Sequence, residues 1–93
     1  MTAVSMLWLK ECPHDDQGLV CPLVTSTGDV VLFCDSGGEA WLDPAEVSEA
    51  SAMFPRQPDW RVTDDVSVTP GTTRWADARD LPDAWRAFTW HDF

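Results

Sequence analysis

Leu19-Val20-Cys21-Pro22-Leu23-Val24-Thr25, then Ser26-Thr27-Gly28-Asp29, then Val30-Val31-Leu32-Phe33-Cys34: these sixteen residues decide the fold. Two apolar runs rich in β-branched side chains flank a short polar turn containing a glycine, which is the pattern of an antiparallel hairpin. The second run is apolar throughout. Pro22 has no N–H to give a ladder, so the first run is expected to lie at an edge or to bulge there.

Before the hairpin, residues 4–10 read as an earlier strand, joined to it by a polar loop over 11–18 that contains Pro13 and Gly18. After the hairpin, Asp35-Ser36-Gly37-Gly38 is a turn and Glu39 to Leu42 a short strand. Asp43-Pro44-Ala45-Glu46 then has the form of a helix start, with a capping aspartate, proline at the first helical position and glutamate at the third. This predicts a helix over residues 44–53. Val47, Ala50 and Phe54 fall on one of its faces, and Pro55 and Pro58 end it. Residues 60–62 and 66–68 are short strand candidates around Asp64-Asp65, residues 69–72 are a turn, and residues 73–76 are another strand candidate. Asp77 and Asp83 are placed to cap short helical turns, the first ending at Leu81 and the second running through Phe88. The aromatic end, residues 89–93, is expected to pack back on the sheet. The expected class is therefore α+β: a small antiparallel ribbon-like sheet with one helix near 44–53 and short helical turns near the C-terminus, in a single domain spanning 1–93.

The chain has 93 residues, 16 acidic and 6 basic, for a formal net charge of -10. A domain of this size buries only about 60–65% of its unfolded surface, so its core is small. So few cations exclude nucleic acid or an anionic membrane as partner, because phosphate neutralisation needs clustered Lys and Arg. The same balance favours solubility, a basic partner, or both. No apolar run approaches the ~18 residues of a membrane span, and residues 1–10 lack the basic start and cleavage site of a signal peptide. Ile, Asn and Tyr are absent and Lys occurs once, the residue usage of a GC-rich genome. Three cysteines, an odd number without a secretion signal, do not read as a disulfide framework and point to a reducing cytoplasm.

No nucleophile-elbow, phosphate-loop, dinucleotide or metalloprotease motif occurs. Cys12 beside His14 is the one candidate thiol–base pair, and an i, i+2 spacing in a loop does not assemble a catalytic unit. The pairs Asp15-Asp16 and Asp64-Asp65 read as solvated turns. Six tryptophans are a high density for this length. Trp8, Trp41 and Trp75 lie in strand-like patterns and are expected in the core. Trp60, Trp85 and Trp90 lie beside loops, prolines and acids, where aromatic anchors at interfaces are common.

Residues 12–43 resemble a zinc ribbon. One knuckle would be Cys12-Pro13-His14-Asp15 and the other Cys34-Asp35-Ser36-Gly37, with Trp41 following. Each keeps its first cysteine, while Asp15 and Gly37 stand where the second would be. The resemblance implies a ribbon-like hairpin scaffold. It does not carry over a metal site, because Gly37 offers no ligand atom. A zinc set of Cys12, His14, Cys21 and Cys34 is available by composition, against the tight Cys12–His14 spacing and the mid-strand position of Cys21. No cofactor is the first expectation, and zinc the alternative.

In size and charge the chain is similar to bacterial immunity proteins, compact acidic domains that neutralise a basic effector. That likeness implies a non-catalytic protein-interaction module with a basic protein as partner. The expected docking residues are Glu46, Trp60, Asp64, Asp65, Asp77, Asp80, Asp83 and Trp85. The alternative is an accessory protein whose cysteine region binds zinc or docks on a larger enzyme.

Overall fold

A computed structural model describes residues 7–13, 18–69 and 71–92. Seven short strands run in chain order: β1 (Leu7–Trp8), β2 (Lys10–Glu11), β3 (Leu19–Val24), β4 (Val30–Cys34), β5 (Ala40–Trp41), β6 (Arg74–Trp75) and β7 (His91–Asp92). The frame is the β3–β4 hairpin, in antiparallel register from Val20↔Cys34 to Val24↔Val30. Its turn closes through Gly28, whose φ of 87° is left-handed, where a side chain would be strained.

β3 is not an edge. It pairs β4 along one side and both β2 and β6 along the other. Leu9 and Ala76 donate from that second side to the carbonyls of Val20 and Pro22. The bare nitrogen of Pro22 faces the same side, between the last residue paired with β2 and the first paired with β6. The proline therefore marks where one neighbour gives way to another, the position in an inner strand at which a missing donor costs least. β5 extends the sheet beyond β4, and β1 pairs β7 separately. The aromatic end thus returns to the N-terminal segment, with the Trp8 and His91 rings 4.5 Å apart.

Strand alternation sends Val20, Leu32 and Cys34 to one face and Cys21, Leu23, Val31 and Phe33 to the other. Both faces are covered. The first packs with Leu7, Cys12, Trp41, Val47, Leu81 and Trp85. The second packs Leu23 and Val31 against Val68, with Phe33, Trp60, Val62, Val66 and Trp75 around them. This two-sided burial explains why the hairpin strands read as continuous apolar runs rather than alternating ones.

The expected α+β class is corrected: the fold is a curled antiparallel sheet, and its only helical pieces among the described residues are 3-10 turns at Pro44–Glu46 and Asp83–Ala87. The start signal at Asp43 is real, since its carboxylate accepts from the Ala45 amide at 2.9 Å. The predicted helix over 44–53 nevertheless stops at Glu46, and Val47 is extended and buried. Three competitors end it. The Trp41 indole takes the Ser48 carbonyl at 2.9 Å. The hydroxyls of Ser48 and Ser51 bond each other and nearby backbone, the local alternative that serine offers to a helix. Met53 then exchanges two backbone hydrogen bonds with Ala40, extending the sheet. Ala50 and Phe54 of the expected apolar face are exposed. Near the C-terminus, residues 77–80 form a turn rather than a helical one. Asp83 lies inside the second 3-10 turn rather than capping it.

The strand candidates 60–62 and 66–68 reduce to a single bridge, Arg61↔Ser67. Among the described residues no helix is long and apolar enough to cross a membrane.

Leu32 is fully buried between strands, whereas Leu42 is 44% exposed. Leu32→Ala is expected to lower unfolding free energy by about 3 kcal/mol. Leu42→Ala should change it by less than about 0.5 kcal/mol. Urea denaturation of the two variants checks the assignment of the core.

Candidate functional site

Two places in the fold gather chemistry. The first lies at the end of the hairpin opposite its turn. Two loops meet there, and each begins with a cysteine and closes on a backbone hydrogen bond. Cys12 N–H donates to the Gly18 carbonyl at 2.9 Å, and Cys34 N–H to the Glu39 carbonyl at 2.8 Å. The register Val20↔Cys34 brings the loops side by side. The Asp35 carboxylate ties them by accepting from the Leu19 amide at 2.9 Å.

Cys12, Cys34 and Glu39 converge in this corner, all three buried, with a ligand atom of each within 4.8 Å of the others. The Cys12 thiol donates to Glu39 Oε2 at 3.0 Å. The Gly37 amide donates to Cys34 Sγ at 3.2 Å. Of the expected metal set, Cys12 and Cys34 are thus together. Cys21 is not among them, because it is one residue out of phase with Val20 and faces the other side of β3. Its thiol bonds weakly to the Leu19 carbonyl at 3.7 Å, and burial, with smaller contributions from Asp35 and Cys34, pushes its pKa up to about 12. His14 lies outside the described residues.

Glu39 was not singled out by the sequence. The signal it carries is faint: an acid heading a short apolar strand directly after Gly37-Gly38.

The second place is the loop at 59–69. Trp60 has a left-handed backbone, φ 54°, an uncommon conformation for a bulky side chain that costs about 1–2 kcal/mol. Its backbone is held by hydrogen bonds to Arg56 and from Val68 at 2.8 and 2.9 Å, and its half-buried ring packs on the second core cluster. Beyond it, Val62 and Val66 pair, and the Thr63 hydroxyl accepts from the amides of Asp65 and Val66 at 3.3 and 3.1 Å. The adjacent exposed carboxylates Asp64 and Asp65 stand at this stapled tip. With Asp59, Arg61 and Ser67 they line an open depression of about 340 Å³.

The expected docking residues divide between neutralised and available groups. Arg74 forks onto Asp80 at 2.7 and 2.9 Å, Arg79 reaches Asp77 at 3.1 Å, and Arg86 lies 3.6 Å from Asp83. Asp77 and Asp80 are therefore engaged by their own arginines, while Asp83 is fully exposed and meets Arg86 only loosely. Trp85 is in the core, stacked on Trp90, and is not an exposed anchor. Asp64, Asp65 and Glu46 are exposed and carry no ion pair among the described residues.

The Arg74 guanidinium, assisted by the Asp77 amide, holds the Asp80 carboxyl well below the usual carboxylate range. A carboxylate whose pKa is lowered by folding contributes stability above its unfolded value, near 3.9, and loses it as pH falls through the folded value. Wild type should therefore exceed Asp80→Asn in urea midpoint at pH 6, with the gap closing below pH ~3. A gap independent of pH would show that the pair contributes packing rather than charge. Cys21, with its raised pKa, should resist alkylation by iodoacetamide at pH 8 in the native protein and react on unfolding, as mass spectrometry of the labelled peptides will show.

Compared with known proteins, no family model, no curated sequence and no solved structure matches the chain.

Proposed function

We propose that this chain is a non-catalytic acidic module that docks a basic segment of another protein. The observation carrying this reading is the stapled tip at residues 63–66, which presents Asp64 and Asp65 beside an open depression whose one lining cation, Arg61, is paired with Asp59 at 3.3 Å. Carboxylates already ordered by a folded loop give up little entropy on binding, so their attraction for Lys or Arg is not offset by the cost of fixing the loop. A net charge of -10 adds long-range steering toward a basic surface. The expected face accordingly shifts: Asp64 and Asp65 lead, with Trp60 supporting the loop from inside, Asp77 and Asp80 contribute structure instead, and Asp83 is secondary because Arg86 lies beside it.

Charge reversal at two places separates a docking site from diffuse acidity. The probe is an immobilised peptide rich in Lys and Arg, titrated at low salt and again at about 0.5 M, where screening is nearly complete beyond ~4–5 Å. Asp64→Lys with Asp65→Lys is expected to weaken binding at least about tenfold, or ~1.4 kcal/mol. Asp77→Lys with Asp83→Lys, an equal change in net charge, should weaken it much less. Equal losses from the two double variants, or affinity indifferent to salt, would overturn the reading.

A further inference from the structure

We infer that Cys12, Cys34 and Glu39 form a zinc site. The three donors come from two loops that the β3–β4 register holds together, and all three are buried. Two sulfurs and one carboxylate are a donor set that suits zinc and leaves one position of a tetrahedral ion for a further ligand. Mutual separations within 4.8 Å need only a small contraction to reach the edge of about 3.8 Å that a tetrahedral zinc–thiolate site requires. The Gly37 amide aimed at Cys34 Sγ puts a positive dipole where a metal-bound thiolate carries its charge.

The surroundings are cut to fit this cluster. A Cβ at Gly37 would lie 2.4 and 2.5 Å from the two Glu39 oxygens, so the carboxylate occupies the space that any side chain at 37 would need. A Cβ at Gly18 would lie 2.4 Å from Ser36 Oγ and 2.6 Å from Cys34 Sγ. Neither glycine has a positive φ, so the backbone does not call for glycine at either position, whereas the close approach of Glu39 at Gly37, and of Ser36 and Cys34 at Gly18, does. The site stands independently of the docking face, which lies in another loop. For a small domain whose regular structure is mostly two-residue strands, an ion bridging residues 12, 34 and 39 would staple the loops at the end of the hairpin where no turn does so.

Zinc coordination displaces the Cys12 proton now given to Glu39 and the proton of Cys34, and no redox change is involved. The test starts from the reduced, chelator-stripped full chain, loaded with Zn²⁺ and desalted for native mass spectrometry, with Co²⁺ loaded in parallel as an optical probe. Wild type should retain one zinc, and its cobalt form should show a thiolate charge-transfer band. Cys21→Ser should behave as wild type, whereas Cys12→Ser and Cys34→Ser should lose the metal. Gly37→Ala keeps every donor yet crowds the carboxylate, and it should weaken zinc on the order of tenfold or more, as Glu39→Gln should. Wild type that retains no zinc would overturn the inference. So would metal kept by both Cys12→Ser and Cys34→Ser, or metal lost in a Cys21→Ser variant that still unfolds cooperatively.

Discussion

The pairing of β3 with β4 is the constraint on which the rest depends. Its register decides which side chains share a face, because a shift by one residue would exchange the two faces throughout. In the register found, Val20, Leu32 and Cys34 join the larger core and Leu23 and Val31 the smaller one, while Cys21 shares the side of β3 that Leu23 faces. The sorting of the three cysteines follows directly. Cys34 ends β4 beside the start of β3, Cys12 arrives on the loop leading into β3, and Cys21 is turned away. Everything chemical at that end of the molecule is a consequence of hairpin geometry, not of local motif.

The hairpin itself was legible because its signals agree: β-branched apolar runs on either side of a polar turn that contains a glycine. The Asp43-Pro44 start was also legible, and its cap is present. What followed was not. Helical spacing of Val47, Ala50 and Phe54 suggested a buried face, but three consecutive turns of helix require that nothing better be offered to the backbone. Ser48 and Ser51 offer their hydroxyls, Trp41 claims a carbonyl, and Ala40 offers a sheet edge to Met53. Local periodicity contains none of these long-range partners, so tertiary competition decided the segment.

The candidate sites divide along the same line. Cysteines 12 and 34 were visible as metal donors, since cysteine is chemically conspicuous. Glu39 was not, because its position after Gly37-Gly38 marks it only faintly among 16 acids, and its burial follows from the fold rather than from local sequence. The acids of 77–83 were visible as charge but not as charge already paired, because Arg74 reaches Asp80 across a turn whose shape the sequence does not announce. Trp85 failed as an anchor for the opposite reason. A small core takes whatever large apolar area is near, and an indole beside prolines and acids is still an indole.

Strand register sorts the three cysteines, two into one corner and one away from it. Zinc-edge X-ray absorption of the metal-loaded full chain measures it directly, since sulfur and oxygen neighbours differ in distance and scattering. Two sulfur neighbours near ~2.3 Å are expected, with the remaining ligands oxygen or nitrogen near ~2.0 Å. Three sulfurs would put Cys21 in the site and contradict the register, and no sulfur would rule out the Cys12–Cys34 corner as the metal site.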